Sequence, residues 1–345
     1  MPARIRTLLI DDSAFMRKVI GDIIRGDESL DLVGIANDGR EGSAMALELK
    51  PDVVITDMIM PEYDGMYVVK SVMEKQPIPI ILLSSLEKSD MRIFDALKNG
   101  AFEFIDKPLD MEEVRLGNYP LLELIREASR TDLGRLKAKQ LANKNSHAHT
   151  FATTTNYDIV TIGASTGGPG AIEQIVFNLP SNLNIPVVIA QHMPARFLET
   201  FSARLNESSP LPVRLASRGE TLRGGIVYIA SGESNTRIEN NLVTGMPMFT
   251  FTNRKFEEFN FPSVDCLFDS VADIYGNRSI AVILTGMGKD GMLGMKKIKS
   301  LGGFTIAQDE ESSVVYGMPK AAVEFDAVRQ IVRLNEIPGF IVSSL

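Results

Sequence analysis

Short apolar runs rich in Ile, Val and Leu alternate along this chain with stretches whose apolar residues fall at helical intervals. Over roughly the first 125 residues the strand candidates are "RTLLIDD", "LDLVGIAN", "PDVVITDM", "IPIILLSSL" and "FEFIDKP". Helical patterns such as "AFMRKVIGDIIRG" and "GREGSAMALELK" lie between them. Five strands interleaved with helices predict a doubly wound parallel sheet. From Tyr157 a second alternation begins, with strands predicted at "DIVTIGAS", "IPVVIAQHM", "VRLAS", "GIVYIAS", "SIAVILTGM" and "GFTIAQDE". Helices are predicted at "GPGAIEQIVFNL", "ARFLETFSARLNES", "SVDCLFDSVADIYG" and "DGMLGMKKIKSLG", with a hairpin around "TRIENNLVTG". The fold class is therefore α/β in two domains: a flavodoxin-like five-stranded unit at 1–127 and a Rossmann-like doubly wound unit at 157–345.

Residues 128–156 separate the two. "TDLGRLKAKQLANKNSHAHTFATTTN" is polar, basic and poor in large apolar residues, and reads as a linker. His147 and His149 fall in it; two histidines without other ligands make a poor metal site.

Composition adds little beyond an ordinary globular protein, but charge is informative. The net charge of −8 divides into −9 over residues 1–125, +4 over 126–156 and −3 over 157–345. An acidic N-terminal unit argues against nucleic-acid binding there, since that affinity rests on neutralising phosphates. No apolar run is long enough to span a bilayer, and "MPARIRTLLIDD" lacks a signal-peptide core, so no membrane insertion is expected. The single cysteine, Cys266, sits on an amphipathic helix and reads as core; one cysteine fits a reducing cytoplasm.

In a doubly wound sheet the ligand site lies at the C-terminal ends of the strands. That rule gathers Asp11, Asp12, Asp57, Ser84 and Lys107, since each closes a predicted strand. Three carboxylates there call for a hard divalent cation with oxygen ligands. A carboxylate beside such an ion can attack a phosphoryl group, with Lys107 and Ser84 binding the phosphoryl oxygens. The motifs "LLIDDSAFMRKVI", "PDVVITDMIMPEYDG", "LLSSL" and "FIDKP" resemble a response-regulator receiver domain. That resemblance implies Asp57 as phosphoacceptor and Mg²⁺ held by Asp11, Asp12, Asp57 and the Met58 backbone carbonyl. It further implies Ser84 as the switch hydroxyl, Phe104 as the aromatic that responds to it, and Lys107 on the phosphoryl group.

In the second unit "GASTG" at 163–167 fits G-x-S-x-G at a strand-to-helix turn. Such a turn exposes a nucleophilic serine or binds a phosphate at the helix N-terminus, and this stretch alone leaves both open. His192, the only histidine of the second unit, ends the next predicted strand, at the same sheet edge as Ser165. "ILTGMGKDGM" supplies Asp290 in another glycine-rich turn, where an aspartate taken singly is an N-cap. Three such loops carrying Ser165, His192 and Asp290 favour a catalytic triad.

The motifs "GASTGGP", "QHMPARFLETFSARL", "PSVDCLFDSVA", "LTGMGKDG" and "AQDEESSVVYGMPKAA" resemble the catalytic domain of the chemotaxis protein-glutamate methylesterase family, CheB. The resemblance implies oxyanion or neighbouring roles for Thr166 and Met287. It implies phosphorylation-activated hydrolysis of glutamate methyl esters on methyl-accepting chemotaxis receptors, with glutamine deamidation as a related activity and a chemotaxis histidine kinase as phosphodonor. Ester hydrolysis of this kind uses no cofactor. The opposing reading is a catalytically degenerate, phospho-switched binding protein. "YIASGESNTRI" departs from the family pattern, with Asn235 near the place of a family histidine, which bears on substrate contact at Ser231–Asn235. The mixed segment "NRKFEEFNFPSVD" is open either to lining a substrate groove or to ordinary loop packing.

Overall fold

Each predicted apolar run forms a strand, trimmed at the polar or glycine residues that begin the next turn. The computed structural model describes residues 3–84, 91–108, 119–131, 157–256 and 261–344. Most of the expected linker, with His147 and His149, lies outside the described residues. The chain divides into two units, Met1–Ala142 and Asn143–Leu345.

The first unit runs β1 (Ile5–Ile10), α1 (Ala14–Arg25), β2 (Leu30–Ala36), α2 (Gly39–Leu49), β3 (Val53–Asp57), α3 (Gly65–Lys75), β4 (Ile80–Ser84), α4 (Met91–Lys98), β5 (Glu103–Asp106) and α5 (Leu121–Arg130). The strands form one parallel sheet in the order β2-β1-β3-β4-β5. β3 and β4 are buried along their whole length, as a sheet covered on both faces requires, and hence read as unbroken apolar runs. Ser13, Asp38 and Asp64 start α1, α2 and α3 by accepting backbone N–H bonds in the first turn. The order reverses direction between β1 and β3, and that is where Asp11 and Asp57 end up.

The second unit runs β6 (Ile159–Ala164), α6 (Gly168–Phe177), β7 (Val187–Gln191), α7 (Ala195–Ser208), β8 (Val213–Leu215), β9 (Val227–Ile229), β10 (Asn235–Asn240), β11 (Pro247–Thr252), α8 (Val264–Tyr275), β12 (Ser279–Ile283), α9 (Met292–Ser300), β13 (Phe304–Gln308), α10 (Met318–Glu324), β14 (Gln330–Val332) and α11 (Ile337–Ser344). Its parallel sheet has the order β14-β13-β12-β6-β7-β9-β8. β10 and β11 pair separately as an antiparallel hairpin. Ile159, Val188, Ile283, Leu267 and Phe268 belong to one buried cluster joining sheet, hairpin and α8. The periodicity did not reveal α10, β14 and α11, which are short; Ile331 of β14 stays half exposed at the sheet edge. No helix among the described residues is long and apolar enough to cross a membrane.

Candidate functional site

β6 sits between β12 and β7, so the turns after all three strands converge. Ala164 pairs with Gln191, and the His192 N–H donates to the Ala164 carbonyl at 3.0 Å. Continuing that register by one residue sets Ser165 beside His192, each just past the end of its strand. On the other side the Ser165 N–H donates to the Thr285 carbonyl at 3.1 Å. Two glycines make the turn possible. Gly167 adopts φ +75°, open to glycine with little strain, and any Cβ at Gly286 would sit 2.8 Å from the Ser165 Cβ.

His192 Nε2 lies 2.8 Å from Asp290 Oδ2, and the Asp290 side chain is 3% exposed. Asp290 Oδ2 also accepts from the Val264 N–H at 2.7 Å, while Oδ1 accepts from the Asp265 N–H at 2.9 Å and the Ser263 hydroxyl at 3.1 Å. Burial alone would raise the Asp290 pKa; the hydrogen bond and charge of His192, with the N–H groups of Asp265 and Val264, outweigh it and hold the carboxyl below its ordinary value. Asp290 therefore caps a helix, but the helix is α8 and not the one that follows it in sequence. With Nε2 given to Asp290, the ring presents Nδ1 as its other nitrogen. Such a Ser-beside-His, His-on-Asp array can deprotonate a hydroxyl and stabilise the imidazolium that results.

Thr166 is buried, and its carbonyl accepts from the Thr285 hydroxyl at 2.9 Å, which ties the turn after β6 to the turn after β12. Met287 lies half-buried in the second of these turns.

In the first unit Asp11, Asp12 and Asp57 each offer a carboxylate oxygen within 4.8 Å of the others. Lys107 Nζ lies 2.7 Å from both Asp11 Oδ2 and Asp57 Oδ2. Burial, joined by the Asp11 charge, raises the Asp57 pKa against the opposing pull of Lys107. An all-oxygen donor set with residual negative charge fits a hard divalent cation. The Met58 carbonyl accepts from the Gly65 N–H at 3.1 Å, so one of its two lone pairs is engaged. Ser84 ends β4 and pairs with Asp106, and Phe104 lies two residues earlier on β5, on the same face of the sheet. The Lys107 N–H donates to the Ser84 carbonyl at 2.7 Å.

Residues 160–341 match the family model for CheB methylesterase and residues 7–116 the one for the response regulator receiver domain. The chain belongs to the CheB methylesterase family. A Thermotoga maritima protein named protein-glutamate methylesterase/protein-glutamine glutaminase is 40% identical over 338 residues, 97% of this chain and 96% of that protein. One of the same name from Archaeoglobus fulgidus is 38% identical over 99% of this chain and 98% of its own length. Among solved structures, the Thermotoga maritima CheB methylesterase catalytic domain aligns with a TM-score of 0.53 at 39% identity, covering 55% of this chain and 99% of that one.

Within this CheB-family chain Asn235 is not an open substrate contact. It is fully buried; its Nδ2 donates to the Arg254 carbonyl at 2.8 Å and its Oδ1 accepts from the Ser263 N–H at 2.6 Å. It thus links the hairpin to the residue that also holds Asp290. Cys266 is buried on α8, where burial pushes its thiol up to about 11, so it is no nucleophile. Residues 257–260 of "NRKFEEFNFPSVD" lie outside the described residues. Sequence reasoning missed Gln191, whose amide donates to the Ser165 and His192 carbonyls, both at 3.0 Å. It missed Ser263 and Asp265 as well. A clue to those two was present in "PSVD", a serine N-cap motif that opens α8, but nothing in it names Asp290 as the partner.

Proposed function

We propose that this chain hydrolyses glutamate methyl esters on methyl-accepting chemotaxis receptors in the cytoplasm, under control of phosphorylation at Asp57. The observation that carries this reading is the 2.8 Å contact of His192 Nε2 with Asp290, made beside the Ser165 turn. Ser165 Oγ attacks the ester carbonyl as its proton passes to His192 Nδ1, and Asp290 stabilises the imidazolium through Nε2–H. Backbone N–H groups at Thr166 and Met287 face the oxyanion. Collapse of the tetrahedral intermediate breaks the C–O bond to the methoxy group, which takes the proton from His192 and departs as methanol. Water then attacks the acyl-serine, gives its proton to His192, and leaves a glutamate carboxylic acid and a restored Ser165. Ammonia leaving in place of methanol gives glutamine deamidation, a second activity supported by the double name of the relatives.

For the receiver, 1–127, Asp11, Asp12, Asp57 and the Met58 carbonyl are the residues that would hold Mg²⁺. When bound, the ion neutralises charge on the transferring phosphoryl group. Asp57 attacks phosphorus and the donor, a chemotaxis histidine kinase, leaves. Lys107 holds the phosphoryl oxygens by charge, and Ser84 and Phe104 respond to them. The linker, 128–156, joins this unit to the catalytic domain, 157–345.

The test is methanol release from methylated receptor membranes by wild type and Ser165→Ala, each with and without a small phosphodonor and Mg²⁺. Release that requires Ser165 and rises with phosphodonor is expected. No release from wild type with Asp57 phosphorylated would overturn the esterase reading in favour of a phospho-switched binding protein.

A further inference from the structure

The N-cap of α9 is Gly291, which has no side chain to close the helix. The missing cap comes from α8. Asp265 Oδ1 accepts the Gly294 N–H in the first turn of α9 at 2.7 Å. In return Asp290, one residue before the N-cap of α9, accepts the Val264 and Asp265 N–H groups that open α8. Two helices thus exchange caps, each N-terminus closed by a carboxylate carried beside the other. Asp290 has one carboxylate to share between α8 and His192, so its position depends on where the turn before α9 is held. Asp265 ties the two together: its carboxyl holds Gly294, four residues after Asp290, while its own N–H donates to Asp290.

We infer that Asp265 is a positioning residue for the reaction: by capping α9 it sets the place of Asp290, and through Asp290 the orientation of the His192 ring. Asp265 is buried and acts on His192 only through Asp290. What the turn needs from Asp265 is an acceptor at the Oδ1 position, which an amide oxygen also provides. The expected signature is a loss of turnover without a loss of substrate binding, and recovery when the acceptor is kept.

This inference rests on the esterase reading, and the test separates the two. In the full-length protein, Asp265→Ala and Asp265→Asn are compared with wild type for kcat and KM on methylated receptor membranes, with the folded fraction measured by thermal melting. Asp265→Ala is expected to lower kcat about 100-fold, the scale of a small misplacement of a catalytic group, with KM unmoved. Asp265→Asn is expected to restore kcat to within about tenfold of wild type. If Asp265→Ala does not fold, Asp265→Ser replaces it, since its shorter side chain withdraws the acceptor from Gly294. The second readout needs no activity: the imidazole N–H resonance of His192 bonded to Asp290, expected to persist in Asp265→Asn and to be lost by exchange in the acceptor-free variant. A wild type without activity would sink the esterase reading and leave this resonance to decide the positioning. Unchanged kcat per folded molecule, an Asn variant as impaired as Ala, or an unaltered resonance in the acceptor-free variant would each overturn the inference.

Discussion

The side-chain amide of Gln191 donates to the backbone carbonyl of Ser165 at 3.0 Å, from the residue adjoining His192. Its other N–H goes to the His192 carbonyl, also at 3.0 Å, so one side chain binds the backbones of the proposed nucleophile and base together. Its Oε1 is buried and has no hydrogen-bond partner among the described residues. Gln191 is thus held for its donors at a cost on its acceptor side.

Replacing it with the similarly sized Met removes two donors and an unsatisfied oxygen at once. Gln191→Met is expected to change stability by no more than about 1 kcal/mol, since the lost bonds and the relieved oxygen offset each other. Turnover should fall about 10- to 100-fold as the Ser165 turn loosens against His192. Urea unfolding alongside ester hydrolysis checks both. Full activity in a stable variant would remove Gln191 from the positioning of the site.

Asp290→Asn tests the carboxylate itself. An amide keeps only one of the two acceptor oxygens, so either His192 and the Val264 N–H, or the Asp265 N–H and the Ser263 hydroxyl, face a donor. Turnover is expected to fall by about 10³- to 10⁴-fold, as when a triad aspartate becomes asparagine. Stability should drop by about 1–3 kcal/mol from the buried groups left unpaired. Retained turnover would show that the His192–Asp290 contact is not used in catalysis.

How far the site was legible in the sequence follows from where each partner sits. The convergence of the turns carrying Ser165, His192 and Asp290 was readable because each follows an apolar run, and parallel strands end their turns on one edge. Gln191 is the last residue of β7 and looked like strand. Asp265 is the second residue of α8, where an acidic first-turn residue is ordinary helix chemistry; its role appears only once α8 and α9 are seen side by side. The internal bonds of Asn235 were hidden for a related reason. Nothing in a Gly/Ser-rich stretch such as "SGESN" tells a buried amide from a solvated one, and only tertiary packing shows that both ends of this amide are taken up internally.

Asn235→Ala removes the acceptor of the Ser263 N–H and the donor to the Arg254 carbonyl. With both groups left in a buried setting, a loss of about 2–4 kcal/mol is expected in denaturant unfolding. Because Ser263 also donates to Asp290, turnover should fall as well. A destabilisation below 0.5 kcal/mol (about the scatter of neutral surface changes) would show that the hairpin is anchored elsewhere.

In the receiver, Lys107 is the cation between two buried carboxylates, Asp11 and Asp57. Lys107→Ala leaves them facing each other uncompensated, a loss of about 3–5 kcal/mol for a broken buried pair. If the three aspartates form a divalent-cation site, millimolar Mg²⁺ should raise the melting temperature of the variant more than that of wild type, because ligand binding to the folded state recovers stability. Equal responses of both proteins to Mg²⁺ would argue that the acidic cluster does not hold the ion.

Asp265 also makes stability depend on pH with an unusual sign. Burial first, and then the neighbouring Asp290 charge, push its carboxyl up to about 7, against the pull of the Gly294, Gly291 and Leu293 N–H groups. The unfolded value is about 3.9. Between the two the folded protein keeps a proton that the unfolded chain releases, so this group lowers stability as pH rises, by at most about 1.4 kcal/mol per pH unit, and has no further effect above about pH 7. Asp290, held low, acts in another window: its stabilisation is present above the unfolded carboxylate value and is lost as acid carries pH down through the folded one. Asp265→Asn should therefore abolish the decline in stability between about pH 4 and 7 while leaving the acid loss due to Asp290 in place. Groups that titrate alike in both proteins cancel in the difference between the two urea-midpoint curves. Parallel curves for wild type and Asp265→Asn across that range would mean that Asp265 ionises with an ordinary carboxylate pKa, and that the exchange of caps between α8 and α9 holds two charged carboxylates side by side.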